Sequence, residues 1–173
     1  SDLPPARCFE SAVRSALCGD IRGIVTGPLS KPEILKSGLK DLGHTQIIAR
    51  LCPTSKLAMC FMGDQARVVL ATDHVPLGQV PTKLTPALLE ERINLILTNP
   101  SLMRAIKASK SRPIGILGLN PHAGDEGLIG TEEMDFIAPV IKEINSKLPQ
   151  ALLRGPLVPD VAFQQGQREK FSL

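Results

Sequence analysis

Apolar positions along the chain follow two patterns, helical spacing and short continuous runs, and the two alternate. Helical spacing, with capping signals at Ser30 and Thr85, predicts helices at residues 8–17, 44–51 and 87–97, from Ser30 towards Gly38, and after the break at Asn99-Pro100. Apolar runs predict strands at residues 23–26, 56–62, 67–71 and 113–119. Such alternation is typical of an α/β protein whose ligand-binding loops lie beyond the carboxyl ends of the strands.

Turn residues predict how these elements connect. Gly63-Asp64 is a good hairpin turn between two of the strands. The last strand enters a polar, glycine-rich loop that ends near Gly130, and Thr131 followed by two glutamates predicts a capped, acid-rich start to a helix that reaches Lys147. Residues 155–163 are predicted to be a loop entering another helix. These elements predict a layered α/β/α fold with a mixed sheet.

Composition narrows the function classes. The chain has 173 residues, 43% of them hydrophobic, which is enough for one domain or one large lobe of a longer protein. Aromatic residues make up only 3%, and the formal net charge of +3 comes from scattered basic residues, so the chain lacks the stacking and basic stripe of a nucleic-acid binder. An anionic small molecule remains open as a ligand.

The cysteines and the apolar runs bear on location. The four cysteines form no C-x-x-C pair and lie in apolar stretches, as expected of free thiols in a reducing cytoplasm. No apolar run approaches the length that crosses a bilayer, and the first residues lack a signal-peptide pattern. We therefore expect a cytoplasmic protein without a membrane partner.

The three histidines, His44, His74 and His122, all lie at the boundaries of predicted elements. Two of them follow strands, where catalytic groups of α/β proteins collect, and imidazole suits zinc and similar ions. Spacing alone leaves both a metal site and solvated loop histidines open, because no H-x-x-H or H-E-x-x-H motif occurs. The glycines at 124, 127 and 130 do not fit the dinucleotide fingerprint G-x-G-x-x-G.

Five ordered motifs carry a resemblance to a known family. They are Val-Thr-Gly-Pro-Leu-Ser-Lys at residues 25–31, Gly-His-Thr at 43–45, Ala-Thr-Asp-His-Val-Pro-Leu at 71–77, Gly-Leu-Asn-Pro-His-Ala-Gly at 118–124 and Gly-Thr-Glu-Glu at 130–133. Gly-Pro-Leu-Val-Pro-Asp at 155–160 and Phe163 extend the series. In this order the motifs resemble those of the 4-hydroxythreonine-4-phosphate dehydrogenase family, and the likeness covers nearly the whole chain.

The resemblance implies roles for six residues. The family's counterparts of His74 and His122 bind a divalent metal, and those of His44 and Thr45 contact the substrate. Lys31 and Asp160 match residues of the same cleft and are the predicted catalytic groups. From the residues alone, His44 could merely begin a helix, Lys31 could be a solvated surface charge and Asp160 a helix cap. No residue is assigned to the nicotinamide cofactor.

The resemblance also implies an activity and its partners. We expect metal-dependent, NAD- or NADP-linked oxidation and decarboxylation of 4-phosphooxy-threonine in pyridoxal 5'-phosphate (vitamin B6) biosynthesis, with zinc, cobalt or magnesium as the metal. The implied fold is that of isocitrate and isopropylmalate dehydrogenases, and the complete protein is expected to be a homodimer. Two alternatives remain: a related dehydrogenase acting on a phosphorylated sugar acid (4-phosphothreonate or erythronate) or an aromatic cis-diol, and a non-catalytic metal-binding or interaction fragment.

The family pattern extends beyond both ends of this sequence. A third metal-binding histidine, in a Tyr-His-Asp-Gln-Gly motif, is expected after Leu173, and an opening Gly-Asp-Pro-Ala-Gly-Ile-Gly segment before Ser1. We therefore expect residues 1–173 to be a single α/β lobe of a longer two-domain subunit, truncated and inactive alone.

Overall fold

The computed structural model describes residues 3–52, 56–63, 66–108 and 112–167. The chain divides into two compact units, Ser1–Leu57 and Ala58–Leu173. Within the described residues, none of the helices combines the length and apolar character that a membrane crossing requires.

The first unit is built on three helices: α1 (Pro5–Cys18), α2 (Lys31–Lys36) and α3 (His44–Leu51). The predicted cap of α2 is confirmed, because Ser30 and Glu33 form a reciprocal capping box in which the Ser30 backbone N–H donates to the Glu33 carboxylate at 2.9 Å. Apolar faces of the helices and the chain after α2 enclose a small core of Ala6, Phe9, Val13, Ile34, Leu39 and Ile47.

A buried carboxylate ties α1 to α3. Glu10 is only 7% exposed and accepts hydrogen bonds from Arg7 at 2.8 Å and from Arg50 at 3.0 Å. Arg50 also donates hydrogen bonds to the buried carboxylate of Asp41, from Nε at 3.2 Å and from Nη2 at 2.9 Å. Hydrogen bonds from Arg7 and then from Arg50 lower the pKa of Glu10 to about 2. We call Arg7, Glu10, Asp41 and Arg50 the ion-pair network.

The predicted strand at residues 23–26 is wrong. This segment belongs to no helix or sheet, and Val25 is fully exposed. A strand needs neighbouring backbone groups to bond, and the regular elements of the first unit are helices throughout its described residues. The apolar run alone could not supply that partner.

In the second unit, β1 (Cys60–Met62) and β2 (Arg67–Val69) form an antiparallel pair, as the predicted hairpin requires. The predicted turn residue Asp64 lies outside the described residues. A short 3-10 turn and α4 (Val80–Lys83) follow, and then α5 (Pro86–Thr98), capped by Thr85 as predicted, and α6 (Pro100–Ala108).

The rest of the second unit centres on a parallel pair, β3 (Ile114–Leu117) with β4 (Leu153–Leu157), flanked by α7 (Ala138–Lys147) and α8 (Pro159–Gln167). The loop predicted at residues 155–163 is therefore wrong over 155–157. Gly155 and Pro156 read as turn residues in sequence, but backbone bonds at both ends of the pair, such as Gly118 N–H to the Leu157 carbonyl at 2.8 Å, hold the segment as a strand. The predicted helix is confirmed as α8, but it begins at Pro159, so residues 159–163 of the predicted loop are helical as well.

The predicted cap at Thr131 also differs. Its hydroxyl donates to the Asp135 carboxylate at 2.6 Å instead of accepting a backbone N–H, while its carbonyl accepts from Met134 and Asp135. A π-helical turn at Glu133–Ile137 then continues into α7. The start of this helix is thus acid-rich as predicted but wider than an α-helix.

The α/β class is confirmed. In the described residues the antiparallel and parallel pairs belong to two separate two-stranded sheets, so the single mixed sheet is not seen. One core unites the second unit, and its fully or largely buried members are Leu89, Ile93, Ile96, Ile106, Ile114, Ile137, Val140, Ile141, Ile144, Leu152 and Leu153.

Candidate metal-binding turn and substrate cavity

The loop after β3 is a left-handed turn. Residues 122–127 all have positive φ, and four of the six are not glycine: His122, Ala123, Asp125 and Glu126, with φ between 46° and 55°. Each non-glycine residue in this region carries a steric cost of about 1 kcal/mol. His122 opens the turn, and its side chain is exposed. Something must hold the turn in this conformation.

The turn encloses a buried glutamate. Glu133, in the π-helical turn that follows, is only 2% exposed, and its carboxylate accepts the Asn120 backbone N–H at 2.7 Å and the Asn120 side-chain amide at 2.9 Å. The same side-chain amide donates to Glu132 at 2.7 Å. Asn120 therefore joins both glutamates to the residues just before His122.

Three glycines make this close approach possible. A Cβ on Gly118 or Gly124 would lie 2.9 or 2.7 Å from a Glu133 carboxylate oxygen. A Cβ on Gly130 would lie 2.6 Å from the Asn120 side-chain oxygen. Real Cβ atoms essentially never come this close to other atoms. Glycine at these three positions, spaced six residues apart, therefore leaves room for the Glu133 carboxylate and the Asn120 side-chain amide.

The charge of Glu133 is stabilised where it lies. Burial alone would raise the pKa of this carboxyl, but hydrogen bonds from the backbone and side chain of Asn120, together with those from the backbone of Glu133 and Leu119, outweigh burial and hold the pKa below its usual range. Glu133 is therefore an ionised group at neutral pH.

His74 lies in an exposed loop between β2 and the 3-10 turn Leu77–Gln79. The strand β2 ends at Val69, five residues earlier, rather than at residue 71 as predicted. Val69 and Leu119 pack against the same hydrophobic core. The segments that carry His74 and His122 therefore both begin at this core. Arg92 on α5 donates to the Ala71 carbonyl at 3.3 Å and holds the start of the first segment.

Asp160 is the second residue of α8 and lies in its first turn, inside the helix rather than at its cap. The helix α8 contacts both the left-handed turn and β3. The structure thus brings together the elements that carry Asp160 and His122.

The imidazoles of His74 and His122 have donor atoms that suit a metal ion, but two histidines do not make a complete ligand set. Two imidazoles suit zinc or cobalt, whereas the described residues bring together no three side chains of His, Cys, Asp or Glu. His74 and His122 stay the two metal ligands that the sequence predicts within this chain.

In the first unit, His44 borders an apolar cavity. Its ring meets Phe9 edge to face, with centroids 4.7 Å apart and planes at 88°. The half-open cavity has a volume of about 360 Å³ and is lined by α1, by His44 and by residues 24–29, which run directly into Lys31. Thr45 and Lys31 are both exposed, as first or second residues of their helices. The cavity brings His44 together with the segment that precedes Lys31.

Sequence reasoning missed Asn120, the packing role of Glu133 and the contact of Phe9 with His44. The first two had a signal in the even spacing of Gly118, Gly124 and Gly130, a different set from the glycines at 124, 127 and 130 that do not fit the dinucleotide fingerprint. The Phe9 contact had none, because it joins residues 35 positions apart in sequence.

Comparison with known proteins identifies the chain's relatives. The family model described as pyridoxal phosphate biosynthetic protein PdxA matches residues 5–173. The chain is 37% identical over 162 residues to the 4-hydroxythreonine-4-phosphate dehydrogenase of Synechocystis sp., covering 90% of this chain and 45% of the relative. It is also 37% identical to that of Desulforapulum autotrophicum, covering 93% and 46%.

Solved structures of the same family also match this chain. The crystal structure of 4-hydroxythreonine-4-phosphate dehydrogenase from Klebsiella pneumoniae matches with a TM-score of 0.78 at 30% identity, over 94% of this chain and 47% of that one. A terephthalate 1,2-cis-dihydrodiol dehydrogenase from Burkholderia xenovorans shares the fold, with a TM-score of 0.66 at 23% identity over 91% and 49%. An α/β dehydrogenase fold is therefore established for the described residues. The chain belongs to the PdxA family, as its motifs indicated. It spans about half the length of the curated relatives that it matches.

Proposed function

We propose that this chain is part of a metal-dependent, NAD(P)-linked dehydrogenase that oxidises and decarboxylates 4-phosphooxy-threonine in pyridoxal 5'-phosphate biosynthesis. The main support is the family match over residues 5–173. The curated relatives bear the name 4-hydroxythreonine-4-phosphate dehydrogenase. The left-handed turn that presents His122 is the local feature that fits this activity best.

The proposed roles follow the family resemblance. His44, which lines the open cavity of the first unit, and the adjacent Thr45 orient the substrate by hydrogen bonds, a positioning effect that lowers the entropic part of the barrier. Lys31 and Asp160 hold or move the substrate's protons. The secondary alcohol would be oxidised to a ketone, with NAD(P) as the hydride acceptor and the hydroxyl giving up its proton. The bond to the carboxyl carbon would then break, carbon dioxide would leave, and the electron pair left on the α-carbon would take up a proton.

The metal, zinc, cobalt or magnesium, is proposed to be held in part by His74 and His122. When bound, such a cation supplies Lewis acidity at the substrate oxygen. We further propose a layered α/β/α arrangement like that of isocitrate and isopropylmalate dehydrogenases for the whole subunit, of which this chain would be one lobe. A cytoplasmic homodimer, without nucleic-acid or membrane partners, completes the proposal.

Two other candidates are kept because specific observations favour them. One structural neighbour with this fold is named a terephthalate 1,2-cis-dihydrodiol dehydrogenase. A related dehydrogenase that acts on a diol or a phosphorylated sugar acid therefore remains an alternative. The incomplete ligand set of the described residues favours the second alternative, a metal-binding or interaction fragment without catalysis.

The test is a comparison of two chains. Residues 1–173 and a chain extended to the length of the relatives are each assayed for reduction of NAD and NADP with 4-phosphooxy-threonine, in the presence of zinc, cobalt or magnesium. Activity in the extended chain alone supports the proposal. Turnover of a sugar acid or cis-diol in preference to 4-phosphooxy-threonine would favour the related dehydrogenase. The absence of turnover in both chains would favour the non-catalytic fragment.

A further inference from the structure

The left-handed turn is held by a group that the proposed chemistry does not use. Four non-glycine residues with positive φ are unfavourable on their own, yet they stand in pairs on either side of Gly124, and three of them are exposed. Residues 121–127 form a 3-10 turn, and the backbone bonds at its ends join Ala123 N–H to the Asn120 carbonyl, Leu128 N–H to the Asp125 carbonyl and Ile129 N–H to the Gly124 carbonyl, each at 3.1 Å. These bonds do not explain why the left-handed form is chosen, because similar bonds occur in right-handed turns.

The Glu133 carboxylate supplies the missing constraint. One oxygen accepts the Asn120 backbone N–H, two residues before His122, and the other accepts the Asn120 side-chain amide. The turn then passes over the carboxylate so closely that Gly118 and Gly124 can carry no Cβ. A buried acceptor with amide donors at the entry and glycines above it fixes both where the turn begins and which way it winds.

We infer that Glu133 is a positioning residue: through Asn120 it locks the left-handed turn and thereby sets the direction in which His122 presents its imidazole. The ionised carboxylate is essential to this role, since a neutral amide at the same place would direct an N–H at a donor. The claim that Glu133 fixes the conformation of the turn does not depend on the proposed function. The claim that Glu133 affects metal binding does depend on it, because it requires His122 to be a metal ligand. Outer groups that orient a metal ligand typically change metal affinity 10- to 100-fold.

The test measures Co²⁺ affinity of the full-length protein by the visible absorption of the bound ion. Glu133→Gln keeps the shape of the side chain but replaces one acceptor by a donor. We expect it to weaken Co²⁺ binding about 10- to 100-fold with the far-ultraviolet circular dichroism unchanged. The matched control is Glu143→Gln in α7, where the glutamate is exposed and pairs with Lys147. It should change Co²⁺ affinity less than about twofold. Equal affinities for the two variants would overturn the inference.

A double-mutant cycle shows whether the effect passes through His122. In a His122→Ala background, Glu133→Gln should cost little further affinity, because the ligand that it positions is gone. A full additional loss in that background would contradict a positioning role. A milder variant, Asn120→Ala, covers the case in which Glu133→Gln fails to fold; it removes the side-chain donor but leaves the backbone N–H, and should weaken Co²⁺ binding in the same direction by a smaller factor.

Hydrogen exchange separates this inference from the proposed function. If His122→Ala leaves Co²⁺ binding unchanged, the metal role of His122 fails. The claim about the turn is then decided by the amides of Ala123, Leu128 and Ile129. Glu133→Gln should speed their exchange about tenfold relative to Glu143→Gln, as expected when a local constraint is lost. Unchanged exchange at these three amides would refute the positioning role whatever the metal data show.

Discussion

Glu10 in the first unit and Glu133 in the second are both buried carboxylates with lowered pKa values, yet they are stabilised in different ways. Guanidinium groups hold Glu10, and the contact with Arg50 joins residues 40 positions apart. Backbone and side-chain amides of Asn120 hold Glu133, only 13 positions away. The first carboxylate therefore fixes how helices pack, whereas the second fixes the conformation of one loop.

The strongest test of the second carboxylate is a methyl group placed against it. Gly124→Ala combines a φ of 84° with a Cβ 2.7 Å from the carboxylate and from the Gly130 carbonyl. We expect a loss of about 3 kcal/mol in the free energy of unfolding, from strain plus overpacking. Urea denaturation followed by circular dichroism measures it.

Gly127→Ala is the matched control in the same turn. Its φ of 94° carries a similar strain, but the added Cβ would clash only with the end of the flexible, half-exposed Met134 side chain and would make an ordinary contact with Thr131 at 3.8 Å. A loss of about 1 kcal/mol is expected. If both alanines cost the same, crowding against Glu133 is not what makes Gly124 necessary.

The corresponding test of the ion-pair network is Glu10→Gln. It leaves the buried Asp41–Arg50 pair intact but removes the charge that Arg7 and Arg50 share. We expect a loss of about 2 kcal/mol, below that of a fully buried pair because both arginine side chains are 41% exposed. Arg14→Ala serves as the control, since Arg14 contacts Glu10 at 3.4 Å and is 64% exposed. An equal loss in the two variants would mean that the network contributes no more than a surface pair.

The pH dependence of stability should show the same network. The folded pKa of Glu10 is about 2 and its ordinary value is 4.5, so the unfolded chain binds this proton first as the pH falls. The stabilisation is complete above pH 4.5 and is lost as the pH falls towards 2. Urea titrations across this range should show a shallower dependence in Glu10→Gln, by up to about one proton. Parallel curves for the two proteins would refute the assignment.

An exposed glutamate gives the smallest effect and completes the series. Glu143 and Lys147 form an ion pair at 2.7 Å, but both side chains are more than 60% exposed. Solvent and salt screen such a pair, so Glu143→Gln should leave the urea midpoint unchanged within error. A loss as large as that of Glu10→Gln would show that burial does not distinguish these carboxylates.

Local signals in the sequence predicted most of the helices. The Ser30 and Thr85 caps, with a proline in each first turn, are decided within four residues, and the structure places both helices as predicted. Such signals succeed because the hydrogen bonds that satisfy a helix end are made by its own neighbours. The same locality explains why His44 was correctly placed at the start of α3.

Features that depend on distant partners could not be predicted in this way. The apolar run at residues 23–26 forms no strand, while Gly155 and Pro156 do lie in one, because strand formation depends on a neighbour elsewhere in the chain. Positive φ at His122, Ala123, Asp125 and Glu126 goes against their intrinsic preferences. The buried Glu133 that accompanies it lies in what the sequence presents as an ordinary acidic helix start.

The handedness of the turn reverses a common rule of protein engineering at one place in the chain. Introducing glycine usually weakens a folded backbone, but at Ala123, with a φ of 54°, the achiral residue would relieve strain that an L-residue must bear. Synthetic D-amino acids, whose stereochemistry favours this region, would fit there better still. Residues 122–126 are thus a short stretch of an all-L protein whose backbone follows the mirror-image preference.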